Sequence, residues 1–132
     1  MFFNFYKKIV FKNFLSILVM SFKSKKSFQE RASESYNIMK KYPDKIPIIC
    51  ENYDKTLPNL DRKKYLVPRD ITLAEFMYII RKRMKLDQSQ GIFIFVNEKM
   101  LPTSYTINMI YETESDRDGF LYLTVGGESV FG

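Results

Sequence analysis

Residues 64–85, KYLVPRDITLAEFMYIIRKRMK, decide the fold, because a short strand pattern passes there into a helix pattern within a few residues. Lys64–Pro68 is predicted as a strand. Thr72 and Glu75 form a capping box, the spacing with which many helices begin. The residues that fall at helical spacing behind this cap are Leu73, Phe76, Met77, Ile80 and Met84. Basic residues crowd positions 81–85, where cations interact favourably with the C-terminal end of a helix dipole. The stretch therefore predicts a strand followed closely by an amphipathic helix that ends near Lys85.

Toward the N-terminus, the chain contains one further helix pattern and one further strand pattern. Ser27 and Glu30 make a second capping box, which predicts a helix from Phe28 to about Lys41. Pro43 ends this helix, because the residue before a proline is disfavoured in helical geometry. Residues 45–51 are short and β-branched, so they are predicted as a strand in which Pro47 indicates an edge position or an irregular start.

Toward the C-terminus, the pattern alternates between strands and connecting segments. We predict a buried strand over residues 91–96 and a turn region over residues 97–103. A short helix capped by Ser104 or Thr106 then runs toward Tyr111. Residues 112–118 are predicted as an acidic loop and residues 119–125 as the last strand. Residues 126–132 are predicted to be a mobile tail, because two glycines and a chain end give little to pack. The element order indicates an α+β domain and matches a β-grasp arrangement with an additional N-terminal helix. Periodicity alone predicts only the α+β class.

Composition excludes several classes of protein. The 132 residues suffice for one modest domain, which we place at residues 20–125. The chain has no histidine and a single cysteine, Cys50, so neither a disulfide framework, a zinc site nor a Ser-His-Asp or Cys-His nucleophile system is available. No glycine-rich phosphate loop is present. We therefore expect neither an enzyme nor a protein with a cofactor or metal.

The charge is unevenly distributed along the chain. The net charge is +6, and six lysines without any acid lie in residues 1–26, so the remainder is neutral. Within that remainder residues 27–86 are rich in bases and residues 87–132 are rich in acids. A neutral domain argues against a nucleic-acid binder, and a domain with one basic face and an acidic far end fits better.

Residues 1–19, MFFNFYKKIVFKNFLSILV, are a doubtful N-terminal extension. The apolar stretches are too short to span a bilayer. A secretory signal peptide fits poorly, because no cleavage site follows the apolar stretch. A basic amphipathic segment at a membrane surface is an alternative. Their Phe, Tyr, Asn, Lys and Ile content is also typical of translated AT-rich non-coding DNA, and we favour Met20 as the initiator. Mass spectrometry of the native N-terminus distinguishes these interpretations.

Five blocks of residues, in order, resemble the autophagy-related protein eight family of ubiquitin-like modifiers, the group that contains the GABA-receptor-associated protein. They are KYPDKIPII at 41–49, LDRKKYLVP at 60–68, FMYIIRKR at 76–83, the turns FVN at 95–97 and PTS at 102–104, and ESVFG at 128–132. The resemblance covers about residues 20–132. It implies a ubiquitin-like β-grasp with two additional N-terminal helices.

The resemblance also implies a function as a modifier. An activating enzyme would take the carboxyl end of Gly132 and a conjugating enzyme would pass it to the amine of phosphatidylethanolamine. Glycine suits this transfer because it lacks a Cβ and can thread a narrow channel. The two acyl chains of the lipid would then anchor the protein to the membrane, because two chains give stable binding and a single chain gives only marginal binding. A delipidating cysteine protease belongs to the same system. Because the sequence ends at Gly132, we expect a member that needs no trimming, although a processed fragment is an alternative.

Partners in this family offer an aromatic-x-x-aliphatic segment as an added strand, with two pockets for alternate side chains. Matching the blocks places the docking edge at residues 64–67. The implied aromatic pocket is Glu34, Ile38, Pro47, Ile49, Lys64, Leu66 and Phe120. The implied aliphatic pocket is Tyr65, Val67, Pro68, Ile71, Phe76 and Ile79. Acidic residues beside the motif would meet a group of cations that we call the basic rim, which consists of Lys45, Arg62, Lys63 and Arg83. Ordinary core packing competes as an explanation for the apolar members, above all Phe76, Ile79 and Pro47.

The resemblance predicts a membrane scaffold that recruits motif-bearing autophagy receptors on autophagosomes or related vesicles, and otherwise lies in the cytoplasm. Three alternatives stay open. The modifier could be joined to a protein lysine, the lipidated form could act on a plastid membrane, or the chain could be a trafficking adaptor that needs no conjugation.

Overall fold

A computed structural model describes residues 21–128, so the doubtful N-terminal extension and residues 129–132 lie outside the described residues. The elements in chain order are α1 (Phe22–Lys25), α2 (Phe28–Lys41), β1 (Lys45–Asn52), β2 (Lys64–Pro68), α3 (Leu73–Met84), β3 (Ile92–Phe95), α4 (Ile107–Glu114) and β4 (Leu121–Gly127). The α+β class and the two helices before β1 are confirmed.

Helix ends follow the capping residues of the sequence. The Ser27 hydroxyl accepts the Glu30 N–H at 3.1 Å at the start of α2, and Thr72 and Glu75 complete a reciprocal capping box at the start of α3. Lys85 ends α3 in the left-handed conformation with a φ of 55°. Thr106, not Ser104, caps α4. This last helix continues three residues past Tyr111, so residues 112–114 belong to it and not to the acidic loop that we expected.

The four strands form one mixed sheet in the order β2-β1-β4-β3. β1 pairs antiparallel with β2 and parallel with β4, and β3 pairs antiparallel with β4. The parallel pair brings the first and last strands of the chain together at the centre of the sheet. This topology, with α3 crossing between β2 and β3, is the β-grasp arrangement.

Pro47 lies in a central strand that pairs in regular register with β2 from Lys45 onward, so neither the expected edge position nor the expected irregular start is found. The Cys50 N–H donates to the Lys63 carbonyl at 2.8 Å, so the even-numbered amides of β1 are directed toward β2 and the odd-numbered ones toward β4. The parallel pairing begins only at Ile48 and Leu121. The N–H that Pro47 lacks therefore falls just before the ladder with β4, where no partner loses a hydrogen bond.

The two faces of the sheet carry separate apolar clusters. The larger cluster lies under α3 and α4 and includes Ile46, Ile48, Val67, Phe76, Ile80, Ile94, Ile107, Leu121 and Leu123, all buried. On the opposite face, Phe22, Ile49 and Phe120 form a smaller cluster against which Ile38 and Tyr122 pack. Because β1 contributes Ile48 to one cluster and Ile49 to the other, the alternation of a strand separates the two.

A buried ion pair joins α2 to the turn before β4. The Arg31 guanidinium lies 3.0 Å from the Asp118 carboxylate, whose side chain is fully buried. The same carboxylate accepts the Phe120 N–H and the Tyr122 hydroxyl. Gly119 follows with a φ of +93°, and a Cβ there would lie 2.4 Å from the Ser35 Oγ, so the close approach of α2 to this turn requires glycine.

The last strand extends further than the sequence predicted. β4 runs to Gly127, and its last two residues, Gly126 and Gly127, pair with Phe93 and Ile92 of β3. They were assigned to the mobile tail. They lie in the sheet instead because the N–H of Gly127 finds a buried partner, the Asp54 carboxylate, at 2.8 Å. The chain therefore leaves the sheet at Glu128.

Replacing Arg31 with Met should lower the free energy of unfolding by about 3 kcal/mol, because it leaves the buried Asp118 carboxylate without its cation. Urea unfolding followed by fluorescence measures this loss. The matched control is Arg83→Met, which removes the exposed pair with Asp61 and should change stability much less. Equal losses in the two variants would contradict the buried network.

Candidate docking groove

β2 is an edge strand whose outer side carries no partner among residues 21–128. Its inner side pairs with β1 from Lys45–Pro68 to Ile49–Lys64. Because Lys63 bonds to Cys50, alternation directs the backbone groups of Tyr65 and Val67 toward β1 and those of Lys64 and Leu66 outward. Unpaired N–H and C=O groups along an edge are the template that an added strand uses.

The structure brings together the seven residues that the resemblance implied for the aromatic pocket. Pairing places Pro47 opposite Leu66 and Ile49 opposite Lys64, so these four residues share the face that α2 covers. Ile38 and Phe120 belong to the same cluster as Ile49. The Glu34 carboxylate lies 2.7 Å from the Lys64 ammonium, which ties α2 to the edge strand. Leu66 is 37% exposed, the large apolar side chain that this face offers to solvent.

The same pocket contains two residues that the sequence analysis missed. Phe22 of α1 packs edge-to-face against Phe120 at a centroid distance of 5.3 Å and is 6% exposed. Lys26, just after α1, lies 2.7 Å from the other oxygen of Glu34. A four-residue helix gives no periodicity to detect. The available signal was Ser21, whose hydroxyl caps α1 by accepting the Ser24 N–H.

Glu34 is therefore held between two cations. Partial burial favours its neutral form, but the hydrogen bonds from Lys26 and Lys64 outweigh that effect and keep the pKa of the Glu34 carboxyl below its usual value. A lowered pKa means that this bridge between α1, α2 and β2 is intact at neutral pH and is lost only as the pH falls through that pKa.

Tyr65, Val67 and Phe76 of the implied aliphatic pocket lie on the other face of the sheet, whereas Pro68 does not, and not all members are accessible. Tyr65 packs edge-to-face on Phe76 at 5.5 Å, and Phe76 and Val67 are buried in the main core. Burial raises the pKa of the Tyr65 phenol to about 12. Ile71 and Ile79 line an open cavity of about 360 Å³ together with Ala74, Glu75 and Tyr78. Pro68 is exposed and, by strand alternation, lies on the face of Leu66.

Two of the four cations of the implied basic rim already have acidic partners. Lys63 pairs with the buried Glu51 at 3.3 Å and Arg83 with Asp61 at 2.9 Å. Lys45 and Arg62 form no ion pair within residues 21–128. Acids brought by a partner would meet two unpaired cations of the rim and would have to exchange with intramolecular acids at the others.

The single cysteine of the sequence is not placed to react. Cys50 is fully buried, and burial first and the neighbouring Glu51 second raise the pKa of its thiol, so the reactive thiolate is suppressed. Within residues 21–128 no group of three or more His, Cys, Asp or Glu residues is placed to hold a metal ion. No helix in the same range is long and apolar enough to cross a bilayer.

The carboxyl end lies outside the described residues, but the structure defines the end of β4, from which the last residues of the chain follow. The Gly127 N–H is bound to Asp54, and the Glu128 carboxylate accepts the Gly91 N–H at 3.2 Å. Gly132, the implied conjugation residue, follows four residues after Glu128. Its role stays a prediction.

These features define a ubiquitin-like domain with two extra N-terminal helices and an open edge strand. The family model described as "Autophagy protein Atg8 ubiquitin like" matches residues 30–132. The chain therefore belongs to the Atg8 family of ubiquitin-like autophagy proteins.

Individual relatives agree with this assignment over most of the chain. "Autophagy-related protein 8" of Mycosarcoma maydis is 50% identical over 113 residues, which cover 85% of this chain and 96% of that protein. "Autophagy-related protein 8e" of Arabidopsis thaliana is 48% identical over 112 residues, covering 84% and 92%. The crystal structure of Trypanosoma brucei ATG8 superposes with a TM-score of 0.79 at 38% identity and covers 85% of this chain and 97% of that one. The resemblance inferred from the five sequence blocks is confirmed.

Proposed function

We propose that this chain is a non-catalytic modifier that becomes joined through Gly132 to phosphatidylethanolamine and then recruits motif-bearing receptors to autophagosomes or related vesicles. The observation that carries the proposal is the open outer side of β2, with Leu66 exposed on one face of the strand and Tyr65 half-buried on the other. A segment of aromatic-x-x-aliphatic pattern would add to β2 and direct its two apolar side chains into the two pockets.

The conjugation half of the proposal rests on the family and on the tail. An activating enzyme would use ATP to convert the Gly132 carboxylate into an acyl adenylate with release of pyrophosphate, and its cysteine would then displace AMP to form a thioester. The acyl group would pass to a cysteine of the conjugating enzyme, which releases the first thiol. On a conjugating enzyme, the lipid amine would attack the thioester carbonyl, form an amide and release the thiol. This chain supplies no acid, base or nucleophile to these steps, in keeping with its buried Cys50 and lack of histidine. A cysteine protease would reverse the last step by cutting that amide.

The lipid anchor explains how a domain without a membrane-spanning helix in its described part would stay on a membrane. Two acyl chains together supply stable attachment, whereas one is marginal. The alternatives differ in what is joined to Gly132: a protein lysine, a lipid on a plastid membrane, or nothing in a trafficking adaptor.

Changing Lys64 to Glu and Leu66 to Ala together should abolish capture of an aromatic-x-x-aliphatic peptide, with a loss of more than about 100-fold in affinity. The charge reversal repels acids beside the motif, and the truncation removes the exposed apolar wall of the groove. Both side chains are partly solvent-exposed, 50% for Lys64 and 37% for Leu66, so the fold should persist. Calorimetric titration gives the affinity, and circular dichroism reports folding.

The matched control for this double variant is Lys40→Glu with Met109→Ala, which makes the same chemical changes at exposed positions outside both pockets. It should bind the peptide as the wild type does. Retained affinity in the groove variant, or equal loss in the control, would refute the assignment of the groove.

Changing Gly132 to Ala should stop conjugation and release the protein from membranes, because a Cβ at the carboxyl end obstructs the enzyme channel and hinders attack on the carbonyl. Membrane flotation measures the bound fraction, and peptide affinity should not change. Intact mass of the bound wild-type form separates the alternatives. A gain equal to phosphatidylethanolamine minus water supports lipid, and a protein-sized gain supports a lysine conjugate. Unchanged membrane association of the Ala variant would favour an unconjugated adaptor.

A further inference from the structure

The last residues of β4 extend beyond the end of its neighbour β1. The parallel ladder between the two strands ends where Asn52 pairs with Val125, yet β4 continues to Gly127. On the side of β1, the Gly127 N–H donates to the Asp54 carboxylate at 2.8 Å, and both residues are buried. The Asp54 side chain thus supplies the acceptor that a longer β1 would have offered from its backbone.

The loop after β1 holds the Asp54 carboxylate in place. One carboxylate oxygen accepts the Thr56 N–H at 2.9 Å and the Thr56 hydroxyl at 2.6 Å, and the other oxygen is the one that binds the end of β4. The Asp54 N–H donates to the Asn52 side chain at 2.9 Å. Leu57 is buried and joins the loop to the main apolar cluster. The carboxylate is therefore presented to β4 by a loop that has its own hydrogen bonds and an apolar anchor.

A second carboxylate holds the other side of the same chain end. The ladder between β3 and β4 ends where Ile92 pairs with Gly127. One residue further, the Glu128 side chain accepts the Gly91 N–H at 3.2 Å. Glu128 is exposed, whereas Asp54 is 8% exposed. The contact of Asp54 is therefore the less screened of the two and dominates in fixing the end of the strand.

We propose that Asp54 is a positioning residue for conjugation. Its contact with the Gly127 N–H, which we call the Asp54 clamp, sets the point at which the chain leaves the sheet and so directs the Gly132 carboxylate toward the activating enzyme. This inference rests on the proposed conjugation through Gly132. It adds to that function a residue of the loop between β1 and β2, far from the tail in the sequence.

The clamp limits the length of chain that carries the reacting group. Four residues follow Glu128, and an extended chain gains about 3.3–3.6 Å per residue, so Gly132 stays within about 14 Å of Glu128. Without the clamp, β1 holds β4 only as far as Val125, after which seven residues follow. Gly126 and Gly127 have no side chains to pack, so backbone hydrogen bonds alone would oppose their release.

A shorter and directed tail presents its end to an enzyme more often. Effective concentration falls roughly as the −3/2 power of tether length, so lengthening the free segment from four to seven residues lowers it about twofold. Loss of a fixed direction adds to this effect, because productive attack requires an oriented carboxyl group. The clamp should accordingly speed the transfer step and leave the recognition of the folded domain unchanged.

The test is Asp54→Asn in a reconstituted reaction with the activating enzyme and ATP. An amide has one acceptor oxygen, and the two donors of Thr56 favour that oxygen, so the Gly127 N–H faces an NH2 group and loses its acceptor. The measured step is formation of the Gly132 thioester, which releases first pyrophosphate and then AMP. We expect kcat to fall roughly two- to fivefold with KM unchanged.

Amide hydrogen exchange gives the state of the clamp in the same variant. The Gly127 amide should be protected in the wild type and should lose that protection in Asp54→Asn. The matched control is Asp44→Asn, because Asp44 is exposed and precedes β1, whereas Asp54 follows it at the opposite end. The control should retain the kinetics of the wild type and the protection of the Gly127 amide.

A merely structural role of Asp54 would lower the concentration of folded substrate, which raises KM and leaves kcat unchanged, and this result would overturn the inference. An unchanged kcat despite an unprotected Gly127 amide would overturn it too, as would a rise in kcat. If the wild type forms no thioester at all, the proposed conjugation is refuted and the inference with it.

A second variant keeps the inference testable if Asp54→Asn does not fold. Insertion of three glycines between Glu128 and Ser129 leaves the clamp intact and lengthens the free segment from four to seven residues. It should lower kcat about twofold, by the tether-length effect alone. A kcat equal to that of the wild type would show that the length of the free tail does not limit transfer, and would contradict the role of the clamp.

Discussion

The pairing of β1 on both of its sides is the constraint on which the rest of the structure depends. Its antiparallel partner β2 is thereby left as an edge, and its parallel partner β4 brings the end of the chain to the centre of the sheet. Ile46, Ile48, Ile49 and Cys50 are fully buried, so the strand cannot move without exposing both apolar clusters. Each buried aliphatic side chain contributes roughly 1.5–3 kcal/mol, which makes β1 a rigid reference for the sites on either side.

The groove follows from that rigid reference by strand alternation. Successive residues of β2 face opposite sides, so a single strand presents Leu66 on one face and Tyr65 on the other. A partner strand added alongside β2 has the same alternation, so its side chains also separate onto the two faces. Residues three apart in a regular strand face opposite sides, so the aromatic-x-x-aliphatic spacing matches the two faces of β2.

Electrostatics divides the domain into a stable part and an exchangeable part. The Arg31–Asp118 pair is buried and supplemented by two hydrogen bonds, and it fixes α2 on the sheet. The pairs of Glu34 with Lys26 and Lys64 are partly exposed and hold α1 and β2 with much less energy.

The sequence predicted those parts of the fold whose signals are local. Capping boxes at Ser27 and Thr72 located both long helices, and the β-branched run of β1 and the short pattern of β2 gave strands with nearly correct bounds. Periodicity missed α1, which is too short to give a pattern and is held by long-range contacts of Phe22, and only the family resemblance implied a second N-terminal helix. It also placed Gly126 and Gly127 in a tail, because local composition cannot show that Asp54, far away in sequence, binds the Gly127 N–H. The pocket residues came from family resemblance, and only the three-dimensional packing added Phe22 and Lys26.

Amide hydrogen exchange along β2, measured by NMR with and without a motif peptide, tests the central claim most directly. The claim is that a partner strand pairs with the outer side of this edge. The amide of Leu66, directed outward, should become strongly protected on binding, whereas that of Val67, already directed at β1, should change little. A tightly bound peptide that leaves Leu66 unprotected, or that protects β3 instead, would contradict the account.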